Sequence, residues 1–173
     1  VFPDLISFNA VISACEKGAQ VEKALMILDE MKTVNFTPDK FTFSALISAC
    51  DKGWEWARAL SIYDEMCLAG VSPDVVTYNA VISACDKGGQ WERVLMLLGK
   101  MHAAAVTPNA ITYNAAIKGA EWECALALLS EMQTAGIVPS TISFNAAIGA
   151  CERDDQWQQA LLVLEKLRAN HGE

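Results

Sequence analysis

Basic residues are scarce in this 173-residue chain: 13 lysines and arginines stand against 21 aspartates and glutamates, a net charge of −8 at neutral pH. Taken alone, that balance argues against a nucleic-acid partner, because phosphate contacts need cations. Histidine is scarcer still, with only His102 and His171, and none of the six cysteines forms a C-x-x-C pair. The sequence therefore offers no zinc site of the usual ligand spacing. It also lacks a G-x-x-x-x-G-K-[ST] phosphate loop, an H-x-E…C-x-x-C deaminase signature and a histidine placed beside a repeated serine or cysteine. No catalytic residue, cofactor or small-molecule substrate is expected. No apolar run approaches the roughly 18 residues that span a bilayer; the longest, such as Ala24–Leu28 and Cys124–Leu129, suit one face of a helix. No membrane partner is expected, and no targeting segment is visible.

What the chain has instead is repetition. Thr77–Cys85, Thr-Tyr-Asn-Ala-Val-Ile-Ser-Ala-Cys, has relatives at Ser7–Cys15, Thr42–Cys50 and Ser143–Cys151, and a clipped copy at Thr112–Ile117. Cys15, Cys50 and Cys85 are 35 residues apart; Pro3, Pro38, Pro73 and Pro108 keep the same step, and Pro139 follows after 31. A period in this range signals stacked supersecondary units that bury their apolar faces against neighbours. A hydrophobic content of 53% is ample for such a core. The units are read as 5–39, 40–74, 75–109, 110–140 and 141–173, the fourth four residues short and the fifth two. Residues 1–4 match Val71-Ser72-Pro73-Asp74 and read as the tail of a preceding repeat, so the chain is expected to be a fragment of a longer array.

Within residues 75–109, Tyr78, Val81, Ile82 and Cys85 fall at i, i+3, i+4 and i+7, the stripe of an amphipathic helix. Asp74 is placed to cap it, and Lys87-Gly88-Gly89 to end it. A second helix is predicted from Trp91 to about Ala104, ended by Val106-Thr107-Pro108. Two antiparallel helices per 35 residues make a helical hairpin, and the predicted fold is an all-α, right-handed α-solenoid of about five units. In the fourth unit four residues separate Ile117 from Trp122, against eight between Ile82 and Trp91. A loss of about one turn shortens a helix without much rotating its faces.

In that register the chain resembles the pentatricopeptide repeat family over essentially its whole length. The resemblance rests on Pro73-Asp74, Val76–Ile82, Lys87-Gly88, Ala59-Leu60, Glu65-Met66 and Gly70-Val71. Tetratricopeptide repeats step by 34 and carry a W-x-x-L-G-x-x-Y helix that is absent here. The resemblance implies single-stranded RNA as partner, one base per repeat. It places base-edge contacts at the fifth residues, Asn9, Ser44, Asn79, Asn114 and Asn145, and at the last residues, Asp39, Asp74, Asn109 and Ser140. The second residues, Ile6, Phe41, Val76, Ile111 and Ile142, would sandwich the bases. The family's code then spells 5′-UG(C/U)C-3′, and an organellar setting, chloroplast or mitochondrion, is implied for RNA processing, stabilisation or translation.

Other readings of the same residues stand beside these. Asp39, Asp74, Asn109 and Ser140 are also good N-caps. Lys17, Lys52, Lys87 and Arg153 either complement helix C-termini or contact phosphate, as the resemblance suggests. Phe8, Phe43, Tyr78, Tyr113 and Phe144 are assigned to the core, as are Met31, Met66, Met101 and Met132. Trp56, Trp91, Trp122 and Trp157 are assigned to packing between units, and all six cysteines to small buried thiols. Asp154 and Asp155 are expected to be solvated, and the acidic pairs Asp29-Glu30 and Asp64-Glu65 to lie on second helices, leaving the reading surface less negative. The alternative function is a structural adaptor among the subunits of an organellar ribonucleoprotein or ribosome, consistent with the low pI of 4.7.

Overall fold

A computed structural model describes residues 4–170, with no side-chain account of Asn170. The start of the chain, including Pro3, and residues 171–173 lie outside the described residues. Among the described residues the chain is all-helical, with ten α-helices and no strand. In order they are α1 (Leu5–Lys17), α2 (Val21–Thr33), α3 (Lys40–Lys52), α4 (Trp56–Leu68), α5 (Val75–Lys87), α6 (Trp91–Ala103), α7 (Ala110–Gly119), α8 (Trp122–Thr134), α9 (Thr141–Arg153) and α10 (Trp157–Asn170).

The chain divides into two compact units, Val1–Gly88 and Gly89–Glu173. In the first, α1, α3 and α5 pack side by side as a row, α2 and α4 each pack on the helix before them, and both also touch the helix that follows. In the second, α7 and α9 pair in the same way, with α8 and α10 as their hairpin partners and α6 against α7.

The odd-numbered helices start on side-chain caps. The carboxylates of Asp4, Asp39 and Asp74 accept from the backbone N–H of Ser7, Thr42 and Thr77, and Asn109 Oδ1 accepts from that of Thr112. The even-numbered helices α2, α4, α6 and α8 have no such cap. Helices end in a left-handed residue, at Ala19, Trp54, Gly89 and Asp155 within hairpins and at Asn35, Gly70, Ala105 and Gly136 between them. The next N–H then reaches back: Gln20, Glu55 and Gln156 donate to the carbonyls of Cys15, Cys50 and Cys151 at 2.8–2.9 Å, and Phe36, Val71, Val106 and Ile137 to those of Met31, Met66, Met101 and Met132. This is the Schellman pattern, and it gives the recurring cysteine and methionine columns a position as well as a volume.

The assigned core is buried as expected. Phe8, Phe43, Tyr78, Tyr113 and Phe144 are at most 5% exposed, and the four methionines are fully buried. Tryptophan packing is visible where a hairpin meets its successor. The Trp56 ring lies over Gly88, and Trp91 seats its Cβ on Gly119. The shortened fourth unit loses three residues from its first helix, α7 having 10 residues where α5 has 13, and one from the turn. The open turn is closed by the next hairpin, as Arg153 Nη2 donates to Ala120 O at 2.9 Å and Trp122 N–H donates to Asp154 Oδ2 at 2.8 Å.

Two expectations are corrected. Asp154 is not simply solvated: it holds the first N–H of α8. Nor are all six cysteines buried: Cys50, Cys85 and Cys151 are, Cys15 and Cys124 are half-buried, and Cys67 is exposed. Cys67 follows the fully buried Met66 on α4, and one residue along a helix turns the side chain by about 100°, away from the packed stripe.

Candidate nucleic-acid interface

The second residue of each unit points outward. Ile6, Phe41, Val76, Ile111 and Ile142 are 54–77% exposed although each is a large apolar side chain. In the first unit they stand as walls of successive clefts. One cleft, of about 500 Å³, is lined by Ile6 and Phe41 with Asn9, Ser13 and Lys17. The next, of about 610 Å³, lies between Phe41 and Val76 and holds Asp39, Ser44 and Asp74. Both are within the size range of small-ligand sites, and apolar walls around a polar residue suit an unstacked base.

The fifth and last residues of a unit meet through a side chain that sequence reasoning passed over. Asn9 Nδ2 lies 3.4 Å from both carboxylate oxygens of Asp39. Thr42, the third residue of the next unit, donates its hydroxyl to Asn9 Oδ1 at 2.7 Å or to Asp39 Oδ1 at 2.9 Å, and accepts from the Asp39 N–H. Ser44 Oγ and Thr77 Oγ1 share a hydrogen bond of 2.8 Å, and Thr77 reaches Asp74 Oδ1 at 3.1 Å. In the second unit of the chain Ser143 Oγ donates to Asn114 Oδ1 at 2.7 Å, and Ser140 Oγ is 3.4 Å from Ser143 Oγ. Thr42, Thr77, Thr112 and Ser143 are fully buried polar residues. Their signal was legible, since a hydroxyl recurs at the third position of an otherwise apolar stripe.

Asn79 on α5 and Asn109, the N-cap of α7, are half-buried. Asn145 on α9 is exposed. Two carboxyls are held ionised. Burial pushes Asp39 upward, but hydrogen bonds from the Thr42 N–H and hydroxyl and from Asn9 outweigh it and hold it below its ordinary value. For Asp74 burial is likewise outweighed, by Lys40 and Thr77. Each therefore faces its cleft as an acceptor only.

The cations of the thirteenth position are largely engaged with the preceding unit. Lys52 pairs with Glu16 at 2.9 Å, Lys87 with Asp51 at 2.9 Å, and Arg153 holds the Ala120 carbonyl. Lys17 lines the first cleft and makes no ion pair among the described residues. The expected relief of negative charge is not seen in the cleft between Phe41 and Val76: Glu16, Asp39 and Asp74 line it against Lys40, which pairs with Asp74 at 2.7 Å. Among the described residues no three His, Cys, Asp or Glu side chains gather where they could hold a metal ion, and no helix is long and apolar enough to cross a membrane.

This geometry has counterparts. The sequence model of the PPR repeat family matches residues 3–52 and 73–120, and that of the PPR repeat matches 41–71 and 142–171. Among solved structures, the chain is similar to the PPR domain of Arabidopsis thaliana protein-only RNase P 1 in complex with tRNA. The TM-score is 0.81 and the identity 18%, over 95% of this chain and 89% of that one. It is also similar to the pentatricopeptide repeat protein PPR10 from maize, at 26% identity and a TM-score of 0.73, covering 99% of this chain and 25% of that one. PPR10 in complex with an 18-nt psaJ RNA element matches at 24% identity and a TM-score of 0.74, over 95% and 24%. The chain thus spans about a quarter of the length of the maize protein. No curated protein matches. With the family model matching more than half of its residues, the chain belongs to the PPR repeat family, the pentatricopeptide repeats.

Proposed function

We propose that this chain is a single-stranded RNA-binding module whose successive repeats, bounded as 5–39, 40–74, 75–109, 110–140 and 141–173, take successive bases. The observation that supports it most is the pair of clefts in the first unit. Each places a fifth-position residue, Asn9 or Ser44, between two exposed second-position side chains. Base preference follows from proton bookkeeping. An ionised Asp39 accepts the N3–H of uracil and repels the N3 lone pair of cytosine; Asp74 accepts the N1–H of guanine and repels the N1 lone pair of adenine. Asn109 and Ser140 are neutral: each can donate to the N3 of cytosine or accept the N3–H of uracil. The predicted site is 5′-UG(C/U)C-3′, with Ile6, Phe41, Val76, Ile111 and Ile142 sandwiching bases, and Asn145 beginning a further pyrimidine slot. Lys17, Lys52, Lys87 and Arg153 would steer phosphates, the last three by leaving their present partners. The chain acts by binding, without a catalytic step, in organellar RNA processing, stabilisation or translation, a setting that rests on the family resemblance.

A second reading has its own support. The carboxylates of the larger cleft and the engaged state of Lys52, Lys87 and Arg153 favour a protein partner, as in an adaptor of a larger ribonucleoprotein. Fluorescence anisotropy with a labelled RNA carrying UGCC, against UACC, separates the two. Preference for UGCC supports base reading with Asp74 selecting guanine; no binding by the folded chain at low salt refutes it in favour of the adaptor.

A further inference from the structure

The buried third-position hydroxyls answer a problem that base reading poses. An amide such as that of Asn9 can turn over, exchanging a donor for an acceptor at the same point in space, and a reader that flips freely cannot discriminate. Within the first cleft only one orientation avoids an acceptor facing an acceptor. Oδ1 lies 2.7 Å from the Thr42 hydroxyl, the shorter of the two reaches open to its single proton (Asp39 Oδ1 is at 2.9 Å), and Nδ2 faces the Asp39 carboxylate at 3.4 Å. Turned over, Oδ1 would confront that carboxylate. The Asp39 N–H donates to Thr42 Oγ1 at 3.2 Å, so the hydroxyl oxygen is itself held from the backbone of the helix start. Asn114 shares the hydroxyl half of this arrangement, with Ser143 donating to its Oδ1 at 2.7 Å. Ser44, the fifth residue that is not an amide, is tied by Thr77 at 2.8 Å.

We infer that in three slots the third residue of the following repeat is a specificity-determining positioning residue: Thr42, Thr77 and Ser143 fix the donor and acceptor pattern that Asn9, Ser44 and Asn114 present to a base. The inference rests on the base-reading proposal above and extends it from two side chains per slot to three, the third supplied by the neighbouring repeat. Each of these three slots is therefore complete only when its successor is folded against it. In the first slot the Thr42 bond and the Asp39 contact leave Asn9 with one unused N–H and one Oδ1 lone pair. The N–H donates to a carbonyl oxygen of uracil while Asp39 takes the adjacent N3–H.

The test uses Thr42→Val, which keeps the shape and removes the hydroxyl, with Thr42→Ser as the conservative control. Binding of the whole chain is measured to RNA carrying UGCC, CGCC and UACC. Wild type should prefer UGCC over both. Thr42→Val should lose the preference for uracil over cytosine at the first base by roughly tenfold, the worth of about one hydrogen bond, and keep the guanine preference at the second. Thr42→Ser should restore the first preference. A purely structural role would weaken all three RNAs together, and that result overturns the inference. So does a Thr42→Val protein that discriminates at the first base as strongly as wild type, since the retained Asp39 accounts for only part of that preference. Failure of the wild type to discriminate refutes base reading itself, and is seen before any variant is made. A readout without RNA guards against a poorly folded variant. The Asn9 side-chain amide pair in 15N–1H spectra should be sharp in wild type and Thr42→Ser, and broadened in Thr42→Val. Unchanged sharpness in Thr42→Val overturns the inference independently of binding.

Discussion

Replacing Gly88 by alanine should cost this fold about 1–3 kcal/mol, the usual penalty for overpacking a fitted contact. Gly88 is the C-cap of α5 at φ −79°, a conformation open to any residue, so backbone strain contributes nothing. The penalty is spatial. A β-carbon there would stand 2.5 Å from Trp56 Cγ and closer still to Cδ1. These atoms lie near the root of the ring, and the indole cannot clear them by a small rotation of its tip. Gly18 provides the internal control. It caps α1 at φ −87° in the same place of the first hairpin, and its nearest foreign atom is Gln20 Cγ at 3.4 Å. There alanine should be neutral or stabilising by up to about 1 kcal/mol, since it restricts the unfolded chain. The two substitutions should differ by about 1–4 kcal/mol in urea melts followed by circular dichroism. Trp56→Ala should erase most of the Gly88→Ala penalty in a double-mutant cycle. Equal effects at Gly18 and Gly88, or additivity of Trp56→Ala with Gly88→Ala, would refute the assignment of this glycine to inter-hairpin packing.

Three further outcomes follow from the same geometry. Ala105 is left-handed at φ 53° and Gly70 at φ 72°, so Ala105→Gly should stabilise and Gly70→Ala should destabilise the chain, each by about 1 kcal/mol, in the same urea melts. Asp39 is held below its unfolded value of about 3.9; its contribution is present above that pH and lost as pH falls through the folded value. Asp39→Asn keeps a capping side chain without titrating, so its stability should decline less than that of wild type between about pH 5 and 3. Thiol labelling of the native chain should reach the exposed Cys67 first and Cys50 last, because burial pushes the Cys50 thiol up to about 12; rapid labelling of Cys50 in a folded sample would contradict its packing.

Much of the fold was legible because its signals are local. Asp74 three residues before Thr77, and apolar residues at i, i+3, i+4 and i+7, specify a capped amphipathic helix without reference to the rest of the chain. What escaped were contacts between units. Nothing near Lys52 in sequence announces Glu16, 36 residues away, yet that pair diverts a cation read as a phosphate contact. Thr42 was visible as a recurring hydroxyl, but its meaning depends on Asn9 from the preceding hairpin. Asp154 was assigned to solvent because the missing turn that it repairs belongs to the fourth unit.

The scarcity of uncommitted cations also decides how an acidic chain can hold RNA. Release of counterions gives log K against log salt a slope of about −0.7 per phosphate neutralised on a single strand. Lys52 and Lys87 are in ion pairs with Glu16 and Asp51, and a phosphate that takes over either lysine leaves a bare carboxylate behind. Among the thirteenth-position cations, Lys17, lining the first cleft, has least to give up. One or two effective contacts correspond to a slope of about −0.7 to −1.4. Under the proposed reading, affinity must then come mainly from bases held between the exposed second-position side chains, at about 1–3 kcal/mol per stacked base. Phe41→Ala, which removes a wall shared by both clefts, should therefore weaken RNA binding by tenfold or more. Lys52→Ala should weaken it less than threefold, by the same counterion argument. A slope steeper than about −3, or a lysine substitution more damaging than that of Phe41, would mean that the chain holds RNA by its backbone and that the clefts are not where the bases go.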